Sequence, residues 1–209
     1  MMASPALSAK IDYFLVLDFE ATCEDKAKMK PQEIIEFPVL KVNAQTMKVE
    51  STFHSYVQPT AHPILTPFCT ELTGITQEMV NGQPILQEVL KEFHKWMSVN
   101  GLLDPSVNSC FVTCGDWDLK TMLPSQCKHF KLSIPHYFRR WVNIKRIFEE
   151  ATGEKSKGMP GMLRHLGLQL EGRHHSGIDD SRNIAHILAK LAEIQPNIQP
   201  TMQLPPFEI

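Results

Sequence analysis

No stretch of this chain approaches the roughly 18 consecutive apolar residues that a membrane-spanning helix needs, because charge or proline breaks every candidate. A membrane role is therefore not expected. Surplus charge is missing too: 21 Lys and Arg stand against 23 Asp and Glu, a formal net charge of -2. Long-range attraction does not draw such a chain to a polyanion, so any grip on nucleic acid has to come from a local site. The five cysteines, Cys23, Cys69, Cys110, Cys114 and Cys127, are odd in number and scattered, and no secretory leader precedes them. That usage fits a reducing compartment rather than a disulfide framework, so the expected location is intracellular, cytoplasmic and/or nuclear. Cys110 and Cys114 lack a second pair at finger spacing, which argues against zinc. No internal repeat is visible, which excludes a solenoid.

What is present is an ordinary globular balance, 43% hydrophobic and 21% charged over 209 residues, enough for one packed domain and short for two. The unit is expected over 11–194, with flexible termini at 1–10 and at 195–209, where Pro196, Pro200, Pro205 and Pro206 cannot continue a helix. Tyr13 to Leu17 is a continuous apolar run that reads as a central strand buried on both faces. Glu33 to Val42 and Met47 to Val57 read as a hairpin joined at Asn43 to Thr46. Leu86, Val89, Leu90, Phe93, Trp96 and Met97 then recur at helical spacing, with Pro84 before them and Gly101 after. Val107 to Thr113 follows as a strand, Asp118 to Leu123 as a helix limited by Pro124, and Trp141 to Ala151 as a helix ending at Gly153. Ile184, Leu188 and Leu191 mark a last helix that starts near Asp179 and Asp180. A hairpin followed by alternating strand and helix predicts an α/β domain with a mixed central sheet flanked by helices.

Chemistry gathers at three places. Asp18-Phe19-Glu20 ends the first strand, and residues i and i+2 of a strand share a face, so the two carboxylates project together. Close carboxylates repel unless cations neutralise them, and hard oxygen donors suit Mg2+ or Mn2+. Taken alone, a D-x-E pair is a weak signal, more often two solvated acids at a strand end. Asp118, within Gly115-Asp116-Trp117-Asp118, either caps the next helix or reaches the same cleft as Asp18. In His174-His175-Ser176-Gly177-Ile178-Asp179-Asp180, the glycine permits a tight bend between an imidazole and a carboxylate at a helix start. Arg139, Arg140, Lys145 and Arg146 fit either phosphate contacts or a solvated helix face.

The order of these clusters resembles the DEDDh exonuclease superfamily, with its RNase H-like fold. The resemblance is closer to the Eri-type 3′-to-5′ exoribonucleases through Leu17 to Cys23, Pro31 to Pro38, Leu72-Thr73-Gly74-Ile75, Gly115 to Asp118, Trp141 to Lys145 and the run from Gly172 to Asn183. It covers about Tyr13 to Leu191. It implies that Asp18, Glu20, Asp118 and Asp180 ligate two Mg2+ ions, which Mn2+ can replace, with Asp116 and Asp179 as second choices. Glu20 counts among the catalytic residues with His175, the general base. His174 is a departure, since relatives commonly carry proline there, and it leaves a choice of ring that spacing resolves toward His175. The terminal nucleotide is expected against Phe19, the backbone around Glu20 and Ala21, Leu72, Trp117 and His175, although Trp117 is also compatible with core packing. The implied partner is nucleic acid, RNA 3′ ends first, acted on by a monomer. Rival readings are a DNA-directed exonuclease, a non-catalytic nucleic-acid-binding module on the same fold, and a metal-free two-carboxylate hydrolase of the glycosidase kind.

Overall fold

The apolar run forms β1 (Tyr13–Leu17) in a computed structural model that describes residues 10–26 and 29–205. Leu15 and Leu17 enter one core and Phe14 and Val16 the other, so the strand is buried on both faces as expected. The next piece, β2 (Glu20–Ala21), continues the line of β1 along β3 (Ile34–Asn43): Leu17 faces Val39 and Glu20 faces Glu36. Asp18 and Phe19 thus fall opposite Pro38 and Phe37, where proline has no N–H to donate and the ladder breaks.

β3 turns into β4 (Val49–Tyr56) through Ala44 to Thr46, which the Asn43 side chain steadies by accepting from the N–H groups of Gln45 and Thr46 at 2.9 and 3.0 Å. Two short helices, α1 (Pro67–Thr73) and α2 (Gln77–Val80), follow. Neither is long enough to show a helical period in the sequence. The expected amphipathic helix is α3 (Leu86–Val99), whose Phe93 packs with Phe37 and Phe138 at ring separations of 5.3 and 5.6 Å. Such aromatic pairs add about 0.5–1.5 kcal/mol each beyond burial.

From β5 (Ser109–Thr113) onward two sequence expectations need correction. Asp118–Met122 is a single π turn, in which the Leu123 N–H reaches the Asp118 carbonyl, and α4 (Leu123–Phe130) follows it. Pro124 does not limit this helix. It occupies the first turn of α4, where a missing N–H costs nothing. Trp141 to Asn143 is not helical either. It belongs to β6 (Arg140–Asn143), and α5 (Ile144–Thr152) begins where the Asn143 side chain accepts from the Lys145 N–H at 3.1 Å. α6 (Gly158–His165), unmarked in the sequence, and α7 (Gly177–Ile194) complete the helices.

The tail differs from the expectation as well. Met202–Gln203 forms β7 on β6, and Ile198 is buried, so the described part of 195–209 is packed rather than flexible. Prolines that end a helix are compatible with an edge strand. Residues 1–9 and 206–209 lie outside the described residues. The sheet order is β2-β3-β1-β5-β6-β7, with β4 on β3. β1, β5 and β6 run parallel and the rest antiparallel, which is the mixed sheet predicted.

Candidate active site

Strand alternation puts Phe19 into the α3-side core, its ring 4.6 Å from that of Phe37, and this turns Asp18 and Glu20 to the α7 side. There the first turn of α7 arrives close against β1. A β-carbon on Gly177 would stand 2.6 Å from the Asp18 carbonyl oxygen, so only glycine allows the approach. Glu36, buried on β3, holds the helix in place: its carboxylate accepts from the N–H groups of Gly177 at 2.8 Å and Ile178 at 3.2 Å, and meets His54 Nε2 at 2.8 Å. An acid inside the apolar run Ile34 to Val39 is the sequence signal for this residue, which motif reading passed over.

The result is that carboxylate oxygens of Asp18, Glu20 and Asp180 lie within 4.8 Å of one another. Asp118 does not cap a helix. Its Oδ1 accepts from the Phe19 N–H at 3.0 Å, across 99 residues of chain, which brings the β5 end to the β1 end. The two second choices are employed elsewhere: Asp116 accepts from Trp141 Nε1 at 3.0 Å and pairs with Arg146, while Asp179 accepts from the Arg173 N–H at 3.0 Å and pairs with Arg182. Among the described residues neither joins the acid group.

Concentrated buried charge shows in the acidities. Burial first, then Asp118, Glu20, Asp180 and Glu36, holds the Asp18 carboxyl well above its usual range. Glu20 is pushed up to about 9 by burial and by Glu36, Asp180 and Asp118. Asp118 is raised to about 6 by burial, against the pull of the Phe19 N–H and Lys145. Asp180 is raised by burial in spite of its hydrogen bonds to His175 and His174. A cage of hard oxygens that resists ionisation without a counter-charge suits a divalent cation.

His175 sits at the rim in a left-handed backbone conformation, φ 67°, its N–H given to Asp180 Oδ2 at 2.9 Å. Its ring stacks on His174 at 3.9 Å and makes no hydrogen bond among the described residues. Burial, then His174 and Arg173, lower its pKa, while Asp180 opposes them. The His174 ring is engaged: Nδ1 lies 3.0 Å from Asp180 Oδ2. Of the two rings, that of His175 is the one without a hydrogen-bond partner among the described residues.

Of the expected nucleotide contacts, Trp117 is 41% exposed and does not pack in the core. It lines a cleft of about 970 Å³ with Cys23, Gln32, Thr121, Ser125 and His129. Leu72 is half-buried at the end of α1, where its carbonyl and that of Glu71 accept from the Arg173 guanidinium. Ala21 is buried in β2 and offers backbone only. Phe19 is the expectation that fails: its ring is in the core and its N–H is taken by Asp118, so it has little to give a ligand.

The exonuclease family pattern RNase_T matches residues 15–188. Among curated relatives, ERI1 exoribonuclease 3 of Bos taurus is 58% identical over 193 residues, covering 92% of this chain and 56% of its own length. The Homo sapiens protein of the same name is 61% identical over 181 residues, covering 86% of this chain and 53% of its own. The chain thus spans about half the length of these relatives. Among solved structures, the nuclease domain of 3'hExo, a DEDDh family member bound to rAMP, aligns with a TM-score of 0.88 at 34% identity, covering 94% of this chain and 100% of that one. A 3′-exonuclease described in 3′-end specific recognition of a histone mRNA stem-loop aligns with a TM-score of 0.90 at 32% identity, covering 95% of this chain and 89% of that one.

Proposed function

Because the chain belongs to the RNase_T exonuclease family, we propose that it hydrolyses phosphodiester bonds from the 3′ end of single-stranded RNA or short 3′ overhangs, releasing nucleoside 5′-monophosphates. The observation that carries this reading is the convergence of Asp18, Glu20 and Asp180 within 4.8 Å, with Asp118 tied to the same strand. Relatives named exoribonucleases, and a structural neighbour that recognises an mRNA 3′ end, support RNA over DNA.

Dependence on divalent metal goes with the DEDDh family, and the donor set here fits it. Two ions, Mg2+ or Mn2+, held by Asp18, Glu20, Asp118 and Asp180, would supply an acidified water and neutralise charge at phosphorus. The remaining work is done by the chain. His175, kept neutral at physiological pH by its lowered pKa, takes the proton from the attacking water. Trp117 and Leu72 flank the terminal base, and the backbone around Glu20 and Ala21 holds its sugar. The chain acts as a monomer, inside the cell, in cytoplasm, nucleus or both; its five free cysteines support a reducing compartment.

A 5′-labelled single-stranded RNA and its DNA counterpart test this directly. With Mg2+ or Mn2+, the RNA is expected to give a descending ladder that vanishes with chelator, with Asp18→Asn and with His175→Ala. Intact RNA beside active metal would sink the proposal, and faster loss of the DNA would move it to a DNA-directed exonuclease.

A further inference from the structure

Of the four cations in the basic stretch, three are occupied. Arg139 donates to the Leu204 carbonyl, Arg140 to Asn108 Oδ1, and Arg146 pairs with Asp116. Lys145 is different. Its ammonium has no hydrogen bond or ion pair within 4.0 Å among the described residues, and the side chain is only partly exposed.

Topology carries it to the acids. β1, β5 and β6 are parallel, so their C-terminal ends line one edge of the sheet, where ligand sites of such sheets form. Asp18 follows β1, Asp118 follows β5, and Lys145 opens α5 directly after β6. Nζ lies over Gly115, 3.5 Å from where a β-carbon would stand. The Lys145 charge reaches both the Cys114 thiol next to that glycine and the Asp118 carboxyl, and Asp18, Asp118 and Asp180 act on the same thiol. The ammonium therefore lies over the loop after β5 that leads to Asp118, at the same sheet edge as the carboxylates.

Charge balance says what the ammonium is for. Four carboxylates are matched by two divalent ions, which leaves the phosphodiester uncompensated. Attack of water adds an oxygen to phosphorus and a further negative charge as the bond to the leaving 3′ oxygen weakens. We propose that the Lys145 ammonium binds a non-bridging oxygen of the phosphate being cleaved, and afterwards the 5′-phosphate of the released nucleotide. This rests on the exonuclease reading. The simpler alternative is that Lys145 only offsets acid repulsion in the metal-free protein.

Binding of adenosine 5′-monophosphate and of adenosine, measured calorimetrically on the full chain at saturating Mn2+, separates these. Lys145→Met is expected to weaken the monophosphate about tenfold and leave adenosine unchanged, with partial recovery in Lys145→Arg. Its kcat on RNA falls about a hundredfold with no weakening of Mn2+. If the monophosphate loses no more affinity than adenosine, Lys145 is an offsetting charge and the assignment is wrong. If wild type binds no monophosphate while both variants remain folded, the exonuclease reading falls and takes the assignment with it.

Discussion

Glu20 shows how the site is held under electrostatic load. Its carboxyl is raised from 4.5 to about 9, so in the folded metal-free chain it resists the ionisation it undergoes freely when unfolded. The penalty on stability is absent below the unfolded pKa of about 4.3, grows as pH rises and is complete above about 9. Glu20→Gln removes it. Without metal, that variant is expected to melt higher than wild type at pH 8, by about 2–4 °C for each kcal/mol relieved, and the gap closes toward pH 5. With Mn2+ present the order is expected to reverse, because wild type alone keeps all four of the proposed ligands. Mn2+ affinity of wild type should climb up to about tenfold per pH unit between roughly 6 and 9, as protons are displaced. A flat profile would mean the acids are already ionised. The two histidines make a second residue-scale contrast. His174 competes for Asp180 Oδ2, so His174→Ala is expected to keep activity within a few-fold and bind Mn2+ more tightly. His175→Ala should lose about 10²–10⁴-fold in kcat. Reversed outcomes would make His174 the base.

The start of α7 is the element on which the geometry turns. It delivers Asp180 and follows His175, and it is located by Glu36 below and by the bare Gly177 against Asp18. Gly177→Ala forces backbone apart, because the obstacle is the Asp18 carbonyl just past β1 rather than a flexible side chain. Activity is expected to drop about a hundredfold, since displacements near 1 Å carry that cost, while circular dichroism stays native. Unchanged kcat would show that α7 can slide without consequence. Elements with a long or regular pattern, β1, β3, β4, α3 and α7, were legible in the sequence. β6 was not, because Trp141 and Val142 join Ile144, Ile147 and Phe148 in one apolar pattern that suits a helix. The π turn at Asp118–Met122 was also hidden, since residue types do not record an N–H reaching five residues back. In the site, the gathering of Asp18, Glu20 and Asp180 was legible because strand alternation and motif order are local properties. Glu36, the diversion of Asp116 to Trp141 and the turning of Phe19 into the core depend on partners far along the chain.

Across the whole molecule, the same parallel strands that carry the site end at an edge protected by the tail. β7 covers β6; the Thr201 N–H donates to the Trp141 carbonyl at 3.0 Å, the Leu204 N–H donates to that of Arg139 at 2.8 Å, and Thr201 Oγ1 accepts from the Asn143 N–H at 2.7 Å. Asn143 in turn caps α5, the helix that carries Lys145. A chain ending at residue 194 therefore bares the β6 edge, opens the side of the fully buried Trp141 and loosens the α5 start. At roughly 1 kcal/mol for each lost hydrogen bond, plus the apolar surface of Ile198, the loss comes to about 4–6 kcal/mol. The truncated chain is expected to melt more than about 10 °C lower and to aggregate through its new edge. Equal melting of the 194 chain and the full chain would leave the catalytic unit at the 11–194 boundary expected from sequence, with the tail an accessory to it.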